Sequence, residues 1–198
     1  MPKVIILGSS NAVPSKDHEN THLVIIGNER TILVDCVSNP IVRLEQAGVD
    51  FNDLTDIVIT HFHPDHASGI PLLLMDMWLM GRTKPINIYG LHYTMDRLED
   101  LMGFYGWEEW PNFFPVGFYR LPESEMAHVM DCSDFKIHSS PVHSSPFQPF
   151  PLLSSPFHSY PVLSCIFSIF QIRKPLRQNA HTPSSCHPLF PAVSPYLL

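Results

Sequence analysis

Acidic residues and glycines both run out before the chain does. All 19 Asp and Glu residues lie at or before Asp134, and all nine glycines at or before Gly117. A segment without glycine has no low-cost residue for positive-φ turns. No run of about 18 apolar residues is present, which argues against a transmembrane helix. The first apolar stretch, Val4 to Leu7, is far too short for the core of a secretion signal. No two of the four cysteines, Cys36, Cys132, Cys165 and Cys186, are close in sequence. Reduced, unpaired thiols in a cytoplasmic protein are therefore expected. An excess of base is missing too: the net charge is −7, so nothing overall suggests a nucleic-acid-binding surface.

What is present divides the chain near residue 143. Residues 1–134 carry 19 acids and eight Lys or Arg, a balance of −11; the remainder carries four bases and no acid, +4. Ten of the 20 prolines fall in residues 144–198, in clusters such as Ser145-Pro146-Phe147 and Ser155-Pro156-Phe157. Prolines at that density forbid a long helix and a central strand. The one stretch there that could form a strand is Val162 to Ile172. The tail is also rich in Phe and Leu, unlike a solvated linker. The expected organisation is one partial domain over 1–143 and a non-native or disordered tail over 144–198. A reading-frame shift would give such a composition; a natural Pro-rich tail that docks on a surface or partner is the alternative.

The first 143 residues read as strands alternating with helices, an α/β layered domain. Strands are expected over Val4–Leu7, His22–Ile26, Thr31–Val34, Asp56–Thr60 and Ile86–Tyr89, with two short strands between Met126 and His138. Ser38 or Asn39 can cap a helix with Pro40 in its first turn and Gly48 closing it. Gly69 to Met80 reads as a buried helix starting near Pro71, and Leu91 to Met102 as a helix ended by Gly103. Trp107 and Trp110 beside Phe104, Phe113 and Phe114 form an aromatic cluster, read as core or lid packing with a substrate-binding lid as the sharper alternative. His18, His22, His92 and His128 read as surface or partly buried histidines.

The chemistry concentrates in Thr60-His61-Phe62-His63-Pro64-Asp65-His66. In an extended chain, residues two apart point the same way, so His61 and His63 can present imidazoles to one metal ion. The chain turns at Pro64, and Asp65 and His66 can reach a second metal or the same one from another side. Imidazole and carboxylate suit Zn²⁺, and also Mn²⁺ or Fe. A His-rich affinity tract would lack the aspartate and the preceding Ile57-Val58-Ile59 strand.

This segment resembles the His-x-His-x-Asp-His signature of the metallo-β-lactamase superfamily. Leu7-Gly8-Ser9-Ser10-Asn11-Ala12-Val13-Pro14, Leu33-Val34-Asp35-Cys36 and Gly69-Ile70-Pro71-Leu72-Leu73 resemble, in order, motifs of its ribonuclease Z-like branch. The chain departs from that pattern at Val37-Ser38-Asn39, where Gly-Glu-Gly is usual, and at Pro64, where glycine is usual. The resemblance covers about residues 3–143. It implies the first part of a four-layer αββα sandwich and a metal-dependent hydrolase of the phosphodiesterase or endoribonuclease kind. It implies two Zn²⁺ ions in a complete site, a phosphodiester or RNA-like substrate, and a homodimer as the assembly to test. Carried over, His61 and His63 hold one metal, Asp65 and His66 the other. Asp65 also guides the proton of the attacking water, and Asp35 orients a ligand histidine. A complete site takes three more ligands: a later His, a bridging Asp and a last His. His143 is the candidate for the later His, one residue short of the usual place, with His138 behind it. Since no Asp follows Asp134, impaired activity is expected, with an inactive product or a non-enzymatic scaffold with a partner-binding tail as alternatives.

Overall fold

The structure, a computed structural model, describes residues 1–143 and 163–171; for His143 and residues 163–171 it describes the backbone alone. Six strands form the first sheet in sequence order: β1 (Lys3–Gly8), β2 (His22–Ile26), β3 (Thr31–Val34), β4 (Asp56–Val58), β5 (Ile86–Leu91) and β6 (Val116–Leu121). The first three are antiparallel and the last four parallel. Parallel neighbours need crossovers. These are supplied by α1 (Pro40–Gln46), by α2 (Pro64–Ala67) with α3 (Ile70–Leu79), and by α4 (His92–Phe104). A second, antiparallel sheet holds β7 (Ala127–Asp131), β8 (Phe135–His143) and β9 (Leu163–Gln171) in that order.

The period of two along each strand sorts its side chains between two cores. Val24, Leu33, Ile57 and Ile88 meet Leu44, Leu73, Met77 and Leu98 of the helices. Ile25, Ile32, Val58 and Leu121 meet Val129, Met130, Phe135 and Ile137 of the second sheet. Three of the four layers of the αββα sandwich are thus among the described residues: helices, first sheet and second sheet.

Asn39 caps α1 by accepting from the Val42 N–H, and Gly48 closes it at φ +71°, as the sequence suggests. Other boundaries differ. β4 is shorter than Asp56–Thr60, because Thr60 leaves the ladder and gives its N–H to Asp35 Oδ1 at 2.8 Å. β5 runs on to Leu91, two residues past Tyr89, because β6 pairs with it along that length. β6 itself escapes a sequence reading, since Gly117 interrupts a short run. α4 continues through Gly103 and stops before Gly106, at φ +64°. His22, expected on the surface or partly buried, is buried at the start of β2, 1% exposed. In the tail, β9 falls within the one stretch that composition leaves free to be a strand. It takes an edge of the second sheet, opposite Pro141 at Cys165. The β7 ladder has ended by then at Ser139, so proline interrupts β8 where it pairs on one side only. The proposed division at residue 143 otherwise falls outside the described residues. None of the described helices is long and apolar enough to cross a membrane.

Candidate metal centre

The site forms at the carboxyl ends of β3 and β4, where backbone leaves the sheet and side chains stand clear of it. Asp35, just past β3, adopts φ +58°, a left-handed conformation that Asp tolerates better than most residues. Its N–H donates to Val58 O at 2.8 Å. This turn then grips the metal loop from behind: Cys36 N–H donates to His66 O and Gly69 N–H to Cys36 O, both at 2.8 Å. A Cβ at Gly69 would lie 2.9 Å from Val37 N and 3.0 Å from the Cys36 carbonyl, so this close approach of backbones admits only glycine. α2 is a single helical turn that begins at Pro64, whose fixed φ suits a first helical position.

Asp35 is buried and accepts from three groups. Thr60 N–H and the Thr60 hydroxyl reach Oδ1, and the hydroxyl also lies 2.9 Å from Oδ2. His66 Nδ1 lies 2.7 Å from Oδ2. A hydroxyl has one proton to give. With that proton on Asp35, Thr60 Oγ1 accepts from His61 Nδ1–H, 3.0 Å away. His61 then carries hydrogen on Nδ1, and His66 donates its Nδ1–H to Asp35, which leaves the Nε2 of each ring for another partner. His61 Nε2 lies 3.0 Å from His63 Nδ1, and His66 Nε2 lies 3.4 Å from Asp65 Oδ2. The His61 and His66 rings are 4.1 Å apart.

The electrostatics separate the two buried imidazoles. Burial, with His66 and His63 adding to it, pushes His61 down to about 4, so it is neutral at neutral pH, the form a metal requires. Burial also opposes charge on His66, but the hydrogen bond that it donates to Asp35 and the charges of Asp35 and Asp65 outweigh it and raise its pKa.

Among the described residues no group of three or more His, Cys, Asp or Glu side chains is arranged to hold a metal ion. The loop presents two pairs instead. Around a tetrahedral zinc, with nitrogens at about 2.0–2.1 Å, neighbouring donors lie about 3.3 Å apart. The 3.0 Å and 3.4 Å separations match that edge, so the donors fit zinc two at a time. The structure brings His61 beside both His63 and His66, with ring centroids 4.5 Å and 4.1 Å apart, and His66 beside Asp65. Of His143 only the backbone is described, at the end of β8 opposite Leu163. His138 is also on β8, with Nδ1 3.2 Å from Met126 O. Thr60 was not singled out by its residue type, yet its hydroxyl joins Asp35 to His61. Its place directly before the first histidine was the available signal.

The family model described as "Anti-Pycsar protein Apyc1" matches residues 2–106. The chain belongs to this family. A ribonuclease Z of Methanococcus maripaludis is 29% identical over 147 residues, spanning 73% of this chain and 46% of the relative. Human tRNase Z, short form, superposes with a TM-score of 0.62 at 23% identity, covering 86% of this chain and 64% of that one. A metallo-β-lactamase-fold protein of Bacillus subtilis gives 0.57 at 15% identity, covering 84% and 57%. The fold is that of metallo-β-lactamase-fold proteins, and ribonuclease Z is among the relatives that the chain is similar to. The chain spans about half the length of the curated relatives it matches, 46% in the case above.

Proposed function

We propose that the chain carries the metal loop of a metal-dependent phosphodiesterase acting on RNA-like substrates. The observation that carries this reading is the hydrogen-bonded line from Asp35 through His66 towards Asp65, set beside the His61–His63 pair. Buried carboxylate, oriented imidazole and an Nε2 left for another partner is the arrangement by which proteins fix metal-ligating histidines. Ribonuclease Z relatives support the substrate class. In this reading His61 and His63 hold one Zn²⁺, and Asp65 and His66 contribute to the second position, with Mn²⁺ or Fe as substitutes. Bound there, the metal supplies a lowered water pKa near neutrality and polarises the phosphoryl oxygen. Asp35 holds the Nδ1 proton of His66, Thr60 holds that of His61, and the Asp65 carboxylate takes the proton of the attacking water. His143 is proposed as a further donor.

Within these 198 residues no carboxylate follows Asp134, so a bridging Asp from that segment is not available. We therefore expect slow turnover from this chain alone. The test is hydrolysis of bis(p-nitrophenyl) phosphate with added Zn²⁺ or Mn²⁺, comparing the chain with Asp65→Ala. Slow, metal-dependent turnover that disappears in the variant supports the reading. Turnover unchanged by Asp65→Ala removes it.

A further inference from the structure

Two small cavities open beside the metal loop and meet at Ser68. The one nearer the loop, about 130 Å³, is bounded by Phe62, His63 and Leu101. The other, about 190 Å³, is bounded by Met75, Tyr105 and Trp110. Leu101 lies on α4 and Tyr105 just past its end, one helical turn apart, so together they form one wall of a continuous groove. No Asp, Glu, Lys or Arg borders either cavity among the described residues. Each is well below the roughly 300–1,000 Å³ that encloses a whole small ligand, so each has room for one flat group.

The far end of the groove is rigid and aromatic. Trp110 stacks on Trp78 with ring centroids 5.0 Å apart and planes 14° from parallel. It meets Phe113 edge-on at 5.2 Å. Trp78 is pinned in turn by its Nε1–H, which donates to Pro111 O at 2.9 Å. Tyr105 is 59% exposed at this end, an aromatic surface left open beside a cavity rather than closed into the core.

We infer that this groove, from His63 to Trp110, is a stacking subsite for a nucleobase of the substrate whose phosphate lies at the metal loop. The inference rests on the phosphodiesterase reading for the phosphate end. Its own support is the flat apolar groove that starts at His63. A base has a π-face whatever its identity, and stacking on aromatic side chains tolerates any sequence. A groove without charged walls offers stacking and little hydrogen-bond readout. Bases are therefore bound here without strong discrimination among them.

The test uses the full chain with Zn²⁺ and three probes: adenosine, adenosine 5′-monophosphate and ribose 5-phosphate. Adenosine and the monophosphate are expected to quench tryptophan fluorescence, and ribose 5-phosphate is not. The monophosphate is expected to bind roughly 5- to 150-fold more tightly than ribose 5-phosphate, the equivalent of about 1–3 kcal/mol of stacking. Ser68→Leu, an exposed position that fills the junction, should remove that ratio and leave ribose 5-phosphate affinity unchanged. Trp110→Leu should also reduce it, with circular dichroism confirming the fold of both variants. Equal affinity for the two phosphates, absence of any adenosine response, or a ratio that survives both folded variants overturns the subsite. If adenosine binds while ribose 5-phosphate fails to bind with or without Zn²⁺, the groove stands and the metal-loop reading falls.

Discussion

The two faces of the first sheet are covered in different ways. On the helical face, cover comes from the crossovers themselves: α1, α3 and α4 lie between the strands they protect. Leu44, Leu73, Leu74, Met77 and Leu98 are all fully buried there. On the other face, cover comes from strands after β6. Among the described residues it reaches Ile25 and Leu121 and does not extend over β1. Val4 and Ile6 are registered opposite Ile25 and Leu23, yet remain 51% and 68% exposed. The contrast shows what the metal loop depends on. Asp35, Cys36, Thr60 and Gly69 tie it to the strand ends and to the start of α3, so its geometry is built from the helix-covered half.

The comparison breaks first if the helical core is not the stronger one. Leu73→Ala, in that core, is expected to cost about 2–5 kcal/mol in urea unfolding. Val129→Ala, between the sheets, is expected to cost about 1–2 kcal/mol, on the order of two buried methyl groups. Equal or reversed costs would remove the asymmetry. Next in size is the tie between scaffold and loop. Asp35→Ala is expected to weaken Zn²⁺ binding about 10- to 100-fold in a chelator competition, while Val129→Ala leaves it unchanged.

A pH effect sharpens the same contrast. His22 follows the alternation of Val24 onto the helical face. Burial lowers its pKa, against the hydrogen bond to Asn20 O and the charge of Glu19, which raise it. The unfolded chain takes up this proton near pH 6.5, and the folded chain does so only at lower pH. The stabilisation from neutral His22 is thus present above about pH 6.5 and is lost as the pH falls below it. Urea midpoints of His22→Gln should fall less between pH 7.5 and 5.5 than those of the unmodified chain. The smallest effect is expected from Ile6→Thr, within about 0.5 kcal/mol for an exposed position. A larger loss would mean that β1 is covered.

Much of this was legible in the sequence, for reasons that can be named. His61, Asp65 and His66 follow an apolar strand, and the period of two pairs His61 with His63. Pro40 and Gly48 mark the ends of α1 through φ alone. The break in acid and glycine content marks where the chain changes character, and its one proline-free apolar run is β9. What was hidden depends on tertiary contacts. β6 is six residues with an internal glycine, and it becomes a strand because β5 offers an edge. Burial of His22 follows from its place opposite Gly8, which spacing does not reveal. The role of Thr60 needs Asp35, 25 residues earlier, to be beside it.

The most direct test of the metal loop is the Zn²⁺ content of the purified chain after gel filtration, beside that of His61→Ala. Drawn together on a single ion, the two pairs of loop donors complete one tetrahedral site and leave none for a second. About one equivalent, tightly retained by the chain and strongly reduced in the variant, is the expected result. No retained zinc, or the same content in His61→Ala, would contradict the assignment of the loop as a metal site, and two retained equivalents would contradict the count of donors.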